Sequence, residues 1–266
     1  MGETGKSLQE CNSPKKNNIE WGVFSLEIAR KLLRRIAGPI KSPVSTRDSI
    51  HTMLFSQDDA PLNPTDRLFD VIQSAISYAR KTSFNELRAS RPLLPETMEV
   101  WPGEQFRLLA GLIQTLEPKV VIEIGTYTGI SALAMKEFMT PESKLVTFDL
   151  RVWRSLSNTC LTERDFEDAS LVQYVEDIAD AAIVEKHRQL LESADLIFLD
   201  GPHTGEVEVA MMQNLCKLNF VKPPILVLDD IHLFPMLKFW RELDLPKLDL
   251  TSFGHWSGTG IAEILA

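Results

Sequence analysis

The 266-residue chain is 44% hydrophobic and 24% charged, and its 37 acidic residues exceed its 28 basic ones, giving a net charge of −9 at pH 7. A chain of this length can bury a substantial core, so one α/β domain with an N-terminal extension is the simplest division. The negative charge argues against a nucleic-acid backbone as the main partner, and three widely spaced cysteines without a C-x-x-C pair indicate neither a disulfide scaffold nor a zinc ribbon.

The first hundred residues divide into a polar tail and a helical region. Residues 1–18 are polar and are predicted to be disordered. Apolar residues recur at helical spacing from Phe24 to Ile36, which predicts a surface helix packed on the domain or on a sister subunit; a helix on a membrane surface is the alternative. The predicted domains are a disordered segment over 1–18, a helical extension over 19–100 and an α/β domain over 101–266.

No apolar run approaches the length of a membrane-spanning helix, and the polar N-terminus does not resemble a secretory signal. We therefore expect a cytoplasmic protein without a membrane partner. Apolar helices attached to an acidic α/β core suggest a homodimer formed through the N-terminal helices.

Two helices are predicted before the regular part of the chain. Asn63-Pro64-Thr65-Asp66 is a suitable helix start with Asn63 as its cap. The apolar stripe that follows predicts the buried face of this helix: Leu68, Ile72, Ala75, Ile76 and Ala79. A second helix, from about Glu104 to Leu116, is predicted to bury Phe106, Leu109, Leu112, Ile113 and Leu116.

A regular alternation of strands and helices begins at Lys119. Apolar and β-branched runs predict strands over residues 119–124, 144–149, 171–176, 195–200, 225–229, 249–253 and 260–265. Helices are predicted between the first five strands, over 130–139, 154–166, 179–192 and 205–219. This alternation predicts a mostly parallel sheet with right-handed crossovers. Because no helix separates the last two strands, residues 249–266 are predicted to form a terminal antiparallel hairpin around Ser257-Gly258.

The first of these strands ends in a turn that suits a ligand. Gly125 and Gly129 permit positive φ and leave no Cβ between the backbone and a bound molecule. The spacing Glu-x-Gly-x-x-x-Gly lacks the middle glycine of a dinucleotide fingerprint, so a pyrophosphate would press against Tyr127. A ligand without phosphates would fit, and Glu123 would favour a cationic one. A turn that needs glycine for its geometry alone is the alternative.

Acids follow the next two strands. Ligands of an open parallel sheet bind at the carboxyl ends of its strands. Asp149 ends the second strand, where a carboxylate can accept both hydroxyl groups of a ribose; a solvent-facing loop acid is the alternative. Asp177 follows the third strand, and nearby Asp180 could cap the next helix.

Three more carboxylates follow strands four and five. Asp200 ends an apolar strand and is followed by Gly-Pro-His203, and Asp229-Asp230 ends the next strand. Like charges this close repel one another unless a cation lies among them, and a hard divalent ion such as Mg²⁺ prefers such oxygen ligands. The sequence therefore predicts a metal site made by Asp200, Asp229 and Asp230. One substrate-facing acid with two capping or surface acids is the alternative.

Two stretches resemble known methyltransferases. The turn from Glu123 to Gly129 resembles motif I of the class I S-adenosylmethionine-dependent methyltransferases, and the five β-α units closed by an antiparallel pair resemble their Rossmann-like sheet. The runs Asp-Leu-Ile-Phe-Leu-Asp-Gly-Pro-His-Thr and Leu-Val-Leu-Asp-Asp-Ile-His resemble the metal-dependent O-methyltransferases, in the branch of the macrolide-sugar O-methyltransferases and cephalosporin-hydroxylase-like proteins. Catechol-type relatives have Asp-Asn and a lysine base, and this chain has neither. The resemblance covers residues 95–266.

The resemblance implies roles for particular residues. In that branch the acids corresponding to Asp200, Asp229 and Asp230 hold Mg²⁺, and His203 is the base, which makes His203 and Asp200 the catalytic pair. A helix-start histidine bonded to Asp200 is the alternative. An adenine contact is implied at Asp177. The implied set of S-adenosylmethionine contacts is Glu123, Gly125, Thr126, Tyr127, Gly129, Ser131, Asp149, Asp177 and Asp200.

The implied activity is methylation of a hydroxyl group on a small metabolite, such as a sugar or a glycosylated natural product, with S-adenosylmethionine as methyl donor and Mg²⁺ as helper. A nucleotide-dependent oxidoreductase and a non-catalytic cofactor-binding or assembly protein are the alternatives. Among the remaining histidines, His232 is expected to support the site from outside, and His51 and His187 to lie on the surface. His255-Trp256 could line the acceptor pocket, although a tryptophan packed on the sheet edge is favoured.

Overall fold

The computed structural model describes residues 59–265, and from Ala60 onward the described residues belong to one compact unit. The predictions for residues 1–18, for the helix between Phe24 and Ile36, for the dimer through it and for His51 lie outside the described residues. The domain limits predicted at residues 100 and 101 stay a prediction. Within the described range, no helix is both long enough and apolar enough to cross a membrane.

The described helices are α1 (Asp66–Ala79), α2 (Asn85–Ser90), α3 (Gln105–Leu116), α4 (Ile130–Lys136), α5 (Ala181–Lys186), α6 (Arg188–Glu192), α7 (Glu206–Leu215) and α8 (Phe234–Glu242). The strands are β1 (Val120–Ile124), β2 (Lys144–Asp149), β3 (Leu171–Val175), β4 (Leu196–Leu199), β5 (Ile225–Asp229), β6 (Lys247–Asp249) and β7 (Thr259–Glu263).

These strands form one sheet in the order β3-β2-β1-β4-β5-β7-β6. The first five are parallel to one another, and β7 runs antiparallel to both β5 and β6. The predicted α/β class, with a mostly parallel sheet and a C-terminal antiparallel hairpin, is therefore confirmed. The chain reverses its strand order between β1 and β4, so a crevice forms at the carboxyl ends of those two strands.

Hydrophobic cores cover both faces of the sheet, because alternate strand residues point to opposite sides. Val121, Phe198 and Val227 belong to the core beneath α1, α3 and α4. Ile122 and Ile197 belong to the core on the other face, which packs on α7 and α8. This burial on both sides explains why the central strands read as continuous apolar runs.

Helix α1 begins two residues later than predicted. Its cap is Thr65, whose hydroxyl accepts a hydrogen bond from the backbone N–H of Leu68 at 3.0 Å. Asn63, the predicted cap, has a positive φ of 39° and lies in the preceding turn. The predicted stripe is buried except at Ile76, which is partly exposed.

Two other segments differ from the prediction. Residues 154–166 do not form an α-helix; they contain two 3₁₀ turns, Trp153–Ser155 and Glu163–Phe166, joined by irregular chain. Strand β6 ends at Asp249, and a 3₁₀ turn occupies Thr251–Phe253, where the strand was expected. The hairpin is consequently a short strand pair with a long loop that carries His255 to Ser257.

Candidate active site

The turn after β1 brings its backbone against the end of β4. Gly125 has φ of +106°, and a Cβ placed on it would lie 1.9 Å from the carbonyl oxygen of Asp200. Gly129 has φ of +80°, and a Cβ there would overlap the side chain of Leu161. Tyr127 also has positive φ, and its side chain is 64% exposed. The backbone geometry therefore requires glycine at both positions. This requirement holds with or without a bound ligand, so the glycines alone do not show that the turn binds one.

Glu123 is completely buried. Its Oε1 accepts a hydrogen bond from the Ser131 hydroxyl at 2.6 Å, whereas its Oε2 has no hydrogen-bond partner among the described residues. Burial raises the pKa of Glu123 to about 8, against the opposing hydrogen bonds of Ser131 and Thr147. The side chain therefore ties β1 to the start of α4 and does not line the pocket described below.

Asp149 holds the same turn from the second strand. Its Oδ2 accepts hydrogen bonds from the backbone N–H groups of Thr126 and Tyr127, each at 2.9 Å, and its Oδ1 accepts one from Arg151 at 2.9 Å. Oδ2 thus uses both of its lone pairs, whereas Oδ1 keeps one, so the carboxylate can accept one further hydrogen bond, from a single ribose hydroxyl. The carboxylate fixes the loop that would meet the ligand.

The acids after β3 serve the backbone of their own loop. Asp177 is exposed and accepts a hydrogen bond from the N–H of Ala179 at 2.8 Å. Asp180 accepts one from Ala182 and caps α5, which confirms the role considered for it. In this structure neither side chain lines the pocket, and the predicted adenine contact of Asp177 stays a prediction.

His203 lies between two of the predicted metal ligands. Its Nε2 is 3.1 Å from Asp200 Oδ1, and its Nδ1 is 3.1 Å from Asp230 Oδ2. The charges of Asp200 and Asp230, together with the hydrogen bond to Asp200, outweigh burial and raise the pKa of His203 to about 9. The bond to Asp200 agrees with both interpretations of this histidine, and the base role stays a prediction.

Glu208 positions the loop that carries His203, and the sequence analysis missed it. This buried carboxylate accepts hydrogen bonds from the backbone N–H groups of His203 at 2.8 Å and Gly205 at 2.7 Å. His203 has a positive φ of 55°, so the loop needs such support. The available signal was the glutamate three residues after Gly205, which is the spacing of a capping box.

Asp229 and Asp230 end β5 beside a second histidine, His255. His255 Nδ1 lies 3.1 Å from Asp230 Oδ1 and 3.9 Å from Asp229 Oδ1. The Ser257 hydroxyl contacts both Asp230 and His255. The Asp229 side chain is only 6% exposed, and its Oδ1 has no hydrogen-bond partner among the described residues.

The electrostatics of this cluster fit a cation. Burial and the charge of Asp200 raise the pKa of Asp229 to about 8, whereas hydrogen bonds from His255 and Ser257 hold the pKa of Asp230 below its usual value despite burial. Ligand atoms of Asp200, His203 and Asp229 lie within 4.8 Å of one another, and so do those of Asp229, Asp230 and His255. A buried carboxylate oxygen without a partner inside such a group is the donor that a divalent ion would satisfy.

A pocket of about 240 Å³ opens beside the acids. Among the predicted site residues it is lined by Gly125, Thr126, Tyr127, Ser131, Asp200 and Asp229. The rest of its wall comes from Thr128, Ile130, His255 and three residues that the sequence analysis did not assign, Pro102, Gln105 and Phe106. The structure thus joins the turn after β1 to Asp200 and Asp229 in one cavity, whereas Asp230 and His203 are not part of its wall.

Two aromatic residues, His187 and Trp256, differ from their predicted surroundings, and the supporting role of His232 stays a prediction. His187 is buried, not on the surface, and its Nε2 contacts Glu176 at 2.5 Å. Trp256 is 65% exposed and stacks on Trp101, with ring centroids 5.7 Å apart, so the favoured packing against the sheet edge is wrong. His232 pairs with Asp249 at 2.7 Å.

One family model supplies the assignment. Residues 122–231 match the model described as "Methyltransferase domain". The chain carries a methyltransferase domain. This match, with the strand order of the sheet, confirms the sequence's resemblance to the class I S-adenosylmethionine-dependent methyltransferases. The matched segment contains every predicted site residue but ends before His255.

Solved structures with a similar fold are distant in sequence. They include the O-methyltransferase TomG from Streptomyces achromogenes, in complex with S-adenosylmethionine, at 17% identity, with 72% of this chain and 90% of that chain covered and a TM-score of 0.45. An O-methyltransferase from Bacillus cereus matches at 15% identity, 76% and 92% coverage and a TM-score of 0.44. The methyltransferase PaMTH1 from Podospora anserina matches at 14% identity, 93% and 99% coverage and a TM-score of 0.46. Identities and TM-scores this low say nothing about this methyltransferase's substrate. No curated protein matches the chain.

Proposed function

We propose that this methyltransferase methylates a hydroxyl oxygen of a small metabolite and holds a divalent cation, Mg²⁺ in the first instance, with Asp200, Asp229 and Asp230. The observation that carries the proposal is that Asp229, whose buried Oδ1 has no hydrogen-bond partner among the described residues, lines the same pocket as Gly125 and Asp200. When bound, S-adenosylmethionine supplies an activated methyl group, and a divalent ion lowers the pKa of a hydroxyl group beside it.

The turn after β1 would hold the methyl donor. Gly125 brings the backbone against the end of β4, and Asp149 fixes the amides of Thr126 and Tyr127 at the pocket wall. This part of the wall, made of backbone and small polar side chains, suits a ribose and a zwitterionic amino-acid portion better than a pyrophosphate. Asp200, at the junction of the turn and the acids, supports the cationic part of the donor electrostatically.

The acids and histidines would orient the acceptor. Methyl transfer requires the attacking oxygen to lie in line with the methyl group and near it, which a rigid set of ligands achieves. His203 is held by Asp200, Asp230 and the Glu208-supported loop. The same two acids keep it protonated while no cation is bound. In the proposal, the pKa of His203 falls when these acids bind a cation, and the neutral imidazole then takes the proton of an acceptor hydroxyl.

A ring-shaped acceptor fits the rim of the pocket. Trp101 is 59% exposed and stacks on Trp256, whose ring centroid lies 6.3 Å from that of His255. Exposed indole faces bind the flat faces of sugar and aromatic rings. A hydroxylated ring resting on these tryptophans would direct its hydroxyl groups toward the acids, which supports a sugar or a glycosylated natural product as the acceptor.

Ligand-induced thermal stabilisation tests the proposal. The purified full chain would be heated with S-adenosylmethionine, S-adenosylhomocysteine, NAD⁺ or NADP⁺, each with and without MgCl₂. We expect the first two to raise Tm and the nicotinamide nucleotides to leave it unchanged, because a ligand stabilises only the native state that binds it. Stabilisation by NAD⁺ or NADP⁺ alone would instead support an oxidoreductase.

Activity then separates the parts of the proposal. S-adenosylhomocysteine formation would be followed with a panel of hydroxylated sugars, glycosides and phenols, in MgCl₂ and in EDTA. We expect turnover with a ring-shaped polyol and its loss in EDTA. Turnover in EDTA would contradict the role of the cation but not O-methyl transfer. The absence of turnover with every hydroxyl acceptor would contradict O-methylation itself.

A further inference from the structure

The loop before β7 brings a nitrogen ligand to the carboxylates. β5 and β7 pair antiparallel with Asp229 opposite Thr259, so the residues preceding Thr259 extend over the carboxyl end of β5. Gly258 has φ of +115°, and a Cβ on it would lie 2.6 Å from the backbone nitrogen of His232, so the loop lies tightly against the segment that follows Asp230. This path fixes the His255 imidazole beside the acids.

Three acceptor atoms meet at this point. His255 Nδ1 lies 3.1 Å from Asp230 Oδ1 and 3.9 Å from Asp229 Oδ1. The backbone N–H of Ser257 approaches the same Nδ1 at 3.3 Å, so this nitrogen is an acceptor whenever it does not donate a proton to Asp230. Two carboxylate oxygens and a nitrogen lone pair this close repel one another unless a proton or a cation lies between them.

The separations match those of ligands around one ion. With metal–ligand bonds of about 2.1 Å, neighbouring ligands of a six-coordinate ion are about 3 Å apart and opposite ones about 4.2 Å apart. The two observed separations, 3.1 and 3.9 Å, lie within this span. Asp229, whose buried Oδ1 has no hydrogen-bond partner among the described residues, lines the same pocket as His255.

We propose that His255 is a ligand of the divalent cation, so that the site holds nitrogen as well as oxygen donors and prefers a transition-metal ion such as Mn²⁺ or Co²⁺ to Mg²⁺. This inference rests on the cation site of the proposed function. Imidazole is a good ligand for first-row transition metals and a poor one for Mg²⁺, which favours oxygen. The chemical class of the ion therefore follows from the side chain at position 255.

Titration of the metal-free full chain with CoCl₂, MnCl₂ and MgCl₂ tests this inference, with the visible absorption of Co²⁺ as a readout independent of catalysis. His255→Gln replaces the nitrogen by an oxygen donor of similar reach. We expect it to weaken Co²⁺ and Mn²⁺ binding by about tenfold or more, to change Mg²⁺ binding less than threefold and to alter the Co²⁺ spectrum. His187→Gln is the matched control, because His187 pairs with Glu176 beside β3 and contacts none of the acids of the cluster, and we expect its metal affinities to equal those of the unmodified chain.

Several outcomes would overturn the inference. Equal losses for all three ions in His255→Gln would make His255 a residue that only positions Asp230, and unchanged affinities with an unchanged Co²⁺ spectrum would exclude it from the site. If the unmodified chain bound none of the three ions, the inference would fail while S-adenosylmethionine-dependent methylation could still be measured in EDTA. Thermal unfolding of each variant in EDTA, followed by circular dichroism, would verify that a variant with reduced metal affinity is still folded.

Discussion

Gly125 lies directly against Asp200: a Cβ on Gly125 would lie 1.9 Å from the Asp200 carbonyl oxygen. The backbone N–H of Asp200 also donates to Ile124 at 2.8 Å. The loop proposed to hold the methyl donor and the first of the proposed metal ligands are therefore mechanically joined. A substitution in the loop at Gly125 should therefore also affect metal binding at Asp200, and a substitution at Asp200 should affect donor binding.

Gly125→Ala is expected to abolish measurable donor binding and to lower thermal stability. The methyl group cannot be accommodated against a backbone carbonyl, and φ of +106° is strained for any residue with a Cβ. Isothermal titration with S-adenosylhomocysteine and thermal unfolding would measure both effects. Gly201→Ala is the control, because the three atoms nearest to its Cβ would all be side-chain atoms, of Glu208, Leu199 and Met211, at 3.0, 3.7 and 3.8 Å. Equal donor affinity in both variants would contradict the expected clash.

Glu123→Gln is expected to make stability less dependent on pH. Burial raises the pKa of Glu123 from 4.5 to about 8, so the folded state keeps a proton that the unfolded state releases, and stability falls as pH rises from about 4.5 to 8. The stability of the variant should therefore increase relative to that of the unmodified chain over this window, by at most about 1.4 kcal/mol per pH unit, with no further increase above pH 8. Urea unfolding at several pH values would measure this. Parallel pH profiles of the two proteins would show that Glu123 is ionised throughout.

Much of the sheet and the acids at its strand ends could be predicted, because apolar strands buried on both faces end abruptly at Asp149, Asp200 and Asp229. The 3₁₀ turns within residues 154–166 could not be predicted from the sequence. Asp165 there forms an ion pair with Arg91, a partner distant in sequence that holds the segment in an irregular path. Helical composition alone does not reveal such a contact.

Two site features also depend on packing that composition does not reveal. His255 reaches the acids only because β7 pairs antiparallel with β5 in a register set by the whole sheet. Glu123 was expected to face a cationic ligand, but its strand position directs it inward to Ser131. The sequence shows which residue types are present at these positions. The direction in which each side chain points depends on how the neighbouring strand and helix pack, and this cannot be predicted from the sequence pattern.

Asp229→Asn is expected to remove the stabilising effect of Mg²⁺ without destabilising the metal-free protein. Burial and the charge of Asp200 raise the pKa of Asp229 to about 8 when no cation is bound, so at pH 7 the variant replaces a largely neutral carboxyl group by a neutral amide. Thermal unfolding in EDTA and in MgCl₂ would compare the variant with Glu206→Gln, an exposed control. A Mg²⁺-induced increase in Tm as large in Asp229→Asn as in the control would exclude Asp229 as a ligand.

Trp256→Ala is expected to raise KM for the acceptor by about tenfold while kcat changes little, because the stacked indole binds the acceptor ring without touching the reacting atoms. Steady-state formation of S-adenosylhomocysteine with the best acceptor from the panel would measure both constants. Val221→Ala is the control: Val221 is exposed and precedes β5, at the amino end of the strands. A fall in kcat at constant KM would place Trp256 in the chemical step instead.

A crystal structure with S-adenosylhomocysteine and Mn²⁺, with anomalous diffraction recorded for the manganese, tests the central claim most directly. The account predicts the nucleoside along the turn from Gly125 to Tyr127 and one anomalous peak within about 2.5 Å of carboxylate oxygens of Asp200, Asp229 and Asp230. A nucleoside bound elsewhere, or a manganese peak away from these three acids, would contradict it.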